Sequence, residues 1–114
     1  MSRWAHRLAA AFGFLAVALG AFGAHALKPT LTLQGTTSLW ATAVLYHLTH
    51  SIAALWASEK RPLAALLWLG GVFLFFGSLY ALALTGQKIF GPLTPLGGLF
   101  LLAGWLVALL PLKH

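Results

Sequence analysis

The sequence predicts an all-α fold, a four-transmembrane-helix up-and-down bundle, and three observations carry that prediction. Apolar residues make up 61% of the 114 positions and charged residues only 7%, against roughly 45–50% and about 25% in soluble domains. The apolar residues gather into four segments, each near the roughly 20 residues that cross a bilayer. The connections between them are short, about five to ten residues, which makes successive helices antiparallel neighbours. A soluble chain of this length could not hide so much apolar surface, whereas lipid accepts it. A single integral domain over residues 1–114 follows.

The first span runs from about Leu8 to Leu27, and Lys28-Pro29 closes it. Ala16, Gly20 and Ala24 recur at every fourth position, the small-residue pattern that lets helices approach closely. Its basic start and Ala24-His25-Ala26 imitate a signal peptide. The apolar core of such a peptide is about 7–15 residues, shorter than this run, so a retained span is expected. His25 lies nearly opposite the Ala16–Gly20–Ala24 stripe.

The second span covers Ser38 to Ala57, with Thr36, Thr37 and Ser38 as N-cap candidates. On a helical wheel, Thr42, Tyr46, Thr49, His50, Ala53 and Ala57 share one face, with Ala43, His47 and Ala54 along its edge. Val44, Leu45, Leu48, Ile52, Leu55 and Trp56 take the other side. In lipid the polar and small face is expected to point into the bundle. His50 would then be shielded and His47 marginal. Ionisable groups inside a span are candidates for function, but hydrogen bonding of neutral imidazoles across helices is the favoured role, since Thr42, Tyr46 and Thr49 are at hand.

A metal site would need His47 and His50, spaced i and i+3, with His25 as a third ligand. Seven to eight residues of depth separate His25 from His47, roughly 11–12 Å at the helical rise. The spans hold no carboxylate or thiolate to help. No metal is predicted, with His47 and His50 the sole candidates for one. Haem needs two axial histidines facing each other, which only paired copies of His50 could supply. A proton relay built on His normally also recruits an acid. No cofactor is predicted.

The third span covers Leu63 to Leu84, opened by Pro62 and closed by Thr85-Gly86. Gly70 and Gly77 form a seven-residue pair suited to packing. Ser78 and Tyr80, in "FFGSLY", join His25, Thr42, Tyr46, His47 and His50 as ligand or polar-core candidates. The fourth span runs from Pro95 to about Leu110 with Gly97 and Gly104 as a second such pair, and Pro111 stops it. These glycines lack a Walker or dinucleotide signature. No nucleophile–base–orienter set is visible, so no catalytic residue and no enzyme is predicted.

The formal charge is +6, with Glu59 the sole acid and no cysteine. A nucleic-acid partner would require a clustered basic face, and these cations flank the spans singly or in pairs. Arg3, Arg7, Lys60, Arg61 and Lys113 fall on one side of the membrane, Lys28 and Lys88 on the other. The excess predicts both termini in the cytoplasm. Trp4 and Trp56 on the inner side and Trp40 on the outer side are expected to anchor at the headgroups.

"GAFGAH" (Gly20–His25), "WATAVLYHLTH" (Trp40–His50), "GSLYALALTG" (Gly77–Gly86) and "TPLGGLFLLAGW" (Thr94–Trp105) follow one another in order. Together they resemble the YgdD/YwdK-type family of small bacterial membrane proteins over nearly the whole chain. The resemblance implies a four-helix protein of the bacterial cytoplasmic (inner) membrane whose biochemical role is uncharacterised, so no catalytic or binding role is carried over. Other members can carry Gln where this chain has His47, and many carry Ser in place of Phe76. The function expected is an interaction or stabilising subunit. Its small-residue stripes and His50 face would meet membrane lipids, a second copy, or another membrane protein. The alternative is a small transporter or binder of a lipophilic or cationic ligand, using the Tyr46/His50/His25 face.

Overall fold

The computed structural model describes residues 2–87 and 92–110. Over these residues the chain is all-helical, as expected. Its elements are α1 (Ser2–Ala24), α2 (Lys28–Gln34), α3 (Thr37–Ala57), α4 (Pro62–Thr85) and α5 (Leu93–Leu109). Lys88, Pro111 and Lys113 lie outside the described residues. Two helices are both long and apolar enough to cross a membrane: Arg3–Ala24 and Pro62–Thr85, with mean hydropathy 1.7 and 1.9. α3 has the length, 21 residues, but its Thr, His and Ser side chains dilute its hydropathy. α5 is apolar but shorter, 17 residues.

α2 occupies a stretch that reads as a loop. Pro29 sits in its first turn, where a missing N–H is harmless. Gly35 ends it at φ 69, the left-handed conformation that glycine adopts without strain. Leu31 is thereby buried against Trp40 and Ala83, closing one end of the bundle.

The α1–α3 seam is built from small residues. Ala5, Ala9, Ala16 and Gly23 are buried along one side of α1. The absent Cβ of Gly20 makes room for Val44; one built there would stand 3.2 Å from the Val44 Cγ1. Two expectations are corrected. Ala24 is exposed and Gly23 makes the close approach instead, because the Trp40 indole fills the space a Gly23 Cβ would occupy. Trp40 is therefore 3% exposed rather than a headgroup anchor. Its Nε1–H donates to the Leu19 carbonyl at 2.9 Å, which satisfies the buried indole.

The α4–α5 seam is glycine-built as well. Gly97 lies against the Phe75 backbone, Gly104 under Trp68, and Gly70 beside Phe100. Gly77 departs from its predicted packing role: it is exposed, and a Cβ there would meet nothing within 4 Å. Gly71 takes that role, with a Cβ position 2.6 Å from Leu101 Cδ2. The cause is a π-helical segment, Val72–Phe76, inside α4. Its wider i→i+5 turn shifts the helix face, so a seven-residue pair spanning it does not stay on one side.

Polar side chains tie the elements. Thr36 occupies the N-cap position of α3 without capping it; its hydroxyl donates instead to the Ala83 carbonyl of α4 at 2.8 Å. The Arg61 guanidinium donates to the Val107 carbonyl at 3.1 Å, in the last turn of α5, where the Leu110 N–H also donates to it. Arg3, His6 and Arg7 share a polar pocket with Glu59, so the start of α1 and the α3–α4 turn lie at the same end.

Candidate ligand-binding site

Trp40, Ala43, His47, Ser51, Ala54 and Ala57 form the buried face of α3. That face is turned by about one residue's rotation, ~100°, from the wheel's polar stripe. His47, not His50, is the histidine at the centre. It lies ten residues from each end of Thr37–Ala57, about 15 Å at the helical rise.

Two neighbouring helices, α1 and α4, fix the His47 ring. Phe76 of α4 stacks on it at 5.8 Å between centroids and 12° between planes. Phe12 of α1 meets it edge-on at 6.4 Å. Its Nδ1 is hydrogen-bonded to the Tyr80 hydroxyl at 2.8 Å. The Nε2 atom is buried without a hydrogen-bond partner. The Phe12 backbone also approaches the ring. If Tyr80 donates to Nδ1, the unpaired group is an N–H; if Nδ1–H donates to Tyr80, it is a lone pair. One valence is open either way. In an apolar surrounding, that typically costs about 1–3 kcal/mol.

His47 forms the floor of a groove between α1 and α4, about 140 Å³ in volume. Phe12, Leu19, Val72 and Phe76 line it with Tyr80, while Leu15, Phe73 and Gly77 make an exposed rim. The groove opens sideways on the bundle, and His47 and Tyr80 are its polar members. The π-helical turn shapes it by setting Phe76 under the imidazole while leaving Phe73 70% exposed.

His50 has a different environment. Its Nδ1–H donates to the Tyr46 carbonyl at 2.7 Å, and its Nε2 accepts from the Trp105 indole at 3.1 Å. Both nitrogens are paired, and the ring is half-buried between Phe76 and Trp105. It acts as a cross-link from α3 to α5. Trp105→Phe is expected to lower unfolding stability by about 1 kcal/mol, the net worth of one hydrogen bond, measured by thermal melting in mild detergent.

Thr42, Tyr46 and Thr49 are exposed, against the wheel assignment. The Thr49 hydroxyl donates to the Tyr46 carbonyl of its own helix at 3.0 Å, so it needs no bundle partner. His25 is exposed just beyond the end of α1, about 20 Å in depth from His50 at the helical rise. The Tyr46/His50/His25 set is thus not brought together. Ser78 is buried; its hydroxyl donates to the Phe75 carbonyl and pairs with the Thr94 hydroxyl, each at 2.8 Å. Among the described residues no group of three or more His, Cys, Asp or Glu is placed to hold a metal ion.

Residues 19–98 match DUF423, a family described as protein of unknown function. The chain belongs to the DUF423 family. A UPF0382 membrane protein of Schizosaccharomyces pombe is 36% identical over 96% of this chain and 99% of its own length. A UPF0382 membrane protein of Haemophilus influenzae is 41% identical over 87% and 85%. The UPF0382 membrane protein YwdK of Bacillus subtilis is 37% identical over 88% of each. No solved structure matches. The resemblance carried by the four motifs is therefore a family relationship, and this DUF423 chain is a membrane protein. The segment matched to DUF423 contains Leu19, His47, Phe73, Gly77 and Tyr80 of the groove; Phe12 and Leu15 precede it.

Proposed function

We propose that this DUF423 protein is a four-span protein of the cytoplasmic membrane that takes up a lipophilic ligand sideways from the bilayer, in the α1–α4 groove. The observation that supports this reading is the apolar groove between α1 and α4, lined by His47 and Tyr80 among aromatic and aliphatic side chains. Intramembrane ionisable groups are rare and mark sites or pathways. Four spans fit the helix lengths, since α3 and α5 would extend about 32 Å and 26 Å against a hydrocarbon core of roughly 30 Å. Arg3, Arg7, Lys60 and Arg61 at one end, against Lys28 at the other, support cytoplasmic termini. The subunit role draws less support. Gly20, Gly97, Gly104 and His50, the residues expected to meet a partner, already serve contacts within the chain.

Photolabelling in native membranes tests the reading. A diazirine-bearing alkyl probe is expected to label Leu15, Leu19 and Phe73 above the outward-facing Leu106. Gly77→Trp, which fills the groove from a position with open space around it, is expected to bring Leu19 labelling down to the Leu106 level. Uniform labelling of every outward face, unchanged by Gly77→Trp, would overturn it. A fluorescent-protein fusion at the C-terminus is expected to fold in the cytoplasm; an external C-terminus would overturn the orientation.

A further inference from the structure

We propose that the polar pocket at the end of the bundle where α1 begins holds the phosphodiester of an anionic phospholipid. Arg3, His6 and Arg7 fall at i, i+3 and i+4 of α1, so they share one helix face. Glu59, from the turn between α3 and α4, completes the lining of a space of about 290 Å³. All four residues are exposed, so the groups that would meet a ligand are open to it. The site is separate from the α1–α4 groove and stands or falls without it.

Charge is the first argument. Two guanidinium groups share the pocket with one carboxylate, and the excess positive charge matches the single negative charge of a phosphodiester. Glu59 is the sole acid of the chain, so no second carboxylate is available to neutralise that excess. Each guanidinium presents paired N–H groups that suit two phosphate oxygens at once. The start of α1 adds to this: a helix N-terminus favours an anion, yet the first turn here carries no acid. Depth is the second argument. The apolar stretch long enough to cross a bilayer begins at Arg3, so the first two turns of α1 lie at the hydrocarbon edge. Trp4 and Trp56, 45% and 66% exposed, stand at this same end, and exposed tryptophans gather at headgroup level. Lipid phosphates therefore arrive at the depth of the two arginines without leaving the membrane, and basic pockets in such positions bind anionic headgroups. Space is the third. A cavity of about 150 Å³ accommodates benzene, so this pocket has room for a phosphodiester with its glycerol. A choline lipid fits less well, because its quaternary ammonium brings a further positive charge and has no N–H to donate to Glu59.

The experiment is native mass spectrometry of the full chain, released from mild detergent doped equally with phosphatidylglycerol and phosphatidylcholine of the same acyl chains. The native protein is expected to retain phosphatidylglycerol about ten-fold in preference, the worth of one charge-assisted hydrogen bond. In Arg3→Gln/Arg7→Gln the two lipids are expected to be retained alike. Lys60→Gln removes a cation at the same end but outside the pocket lining, and is expected to keep the preference. All three positions are exposed, so the variants are expected to fold. No preference in the native protein, or a preference that Lys60→Gln lowers as much as the double variant does, would overturn the pocket assignment. Displacement of the lipid by millimolar inorganic phosphate would overturn the lipid and move the site to a soluble anion.

Discussion

Gly97→Ala is expected to destabilise the bundle by about 2 kcal/mol, while Gly77→Ala is neutral or slightly stabilising. A Cβ at Gly97 would fall against the backbone nitrogen and Cα of Phe75, and backbone cannot rotate away as a side chain can. Overpacking costs about 1–3 kcal/mol and more where nothing yields; the gain of Ala over Gly in a helix, about 1 kcal/mol, offsets part of it. At Gly77 the same gain operates with open space around the new methyl. Gly104→Ala should fall between the two, since the obstacle there is the Trp68 side chain. Unfolding midpoints in mild detergent, followed by circular dichroism, measure all three. Equal shifts at Gly97 and Gly77 would mean that the α4–α5 seam does not pack as described.

Tyr80→Phe is expected to cost about 2 kcal/mol, because it strips the one partner from an imidazole whose other nitrogen is already unpaired. His47→Leu should cost less. It removes both ring nitrogens together and leaves only the Tyr80 hydroxyl without its partner. The double variant should cost about 1 kcal/mol less than the sum of the two single losses, which is the coupling in the cycle. Strictly additive losses would show that the pair does not exist in the folded protein. This cycle also separates His47 from His50, whose partners are Tyr46 and Trp105.

The helices were legible in the sequence because their signals are local. Pro62 and Gly86 mark the bounds of α4, and the apolar runs give the rest. The small residues were legible too, but only approximately. Gly20, Gly97 and Gly104 stand close to Val44, Phe75 and Trp68, whereas the approaches read for Ala24 and Gly77 fall to Gly23 and Gly71. The π-helical turn behind the second exchange has no local signature in "VFLFF". The orientation of α3 departs from the helical wheel for a physical reason. Polar side chains need not point inward, since Thr49 bonds its own backbone. Close approach selects Ala43, Ala54 and Ala57 for the buried face, and His47 goes with them. The His47–Tyr80 pair was also hidden from depth arithmetic. Folding α3 onto α4 about their turn sets Tyr80 about 12 Å past His47 in an ideal hairpin, a gap narrowed by a long side chain leaning toward its helix N-terminus.

The distinction between the two imidazoles carries the whole account: His50 is a finished cross-link, and His47 is buried with Tyr80 as its one hydrogen-bond partner. Nitrogen-15 spectra of histidine-labelled protein in nanodiscs test it most directly. The His50 Nε2 signal is expected to move in Trp105→Phe and the His47 Nδ1 signal in Tyr80→Phe, each leaving the other histidine unmoved. A His47 signal unmoved by Tyr80→Phe, or a His50 signal unmoved by Trp105→Phe, would contradict it.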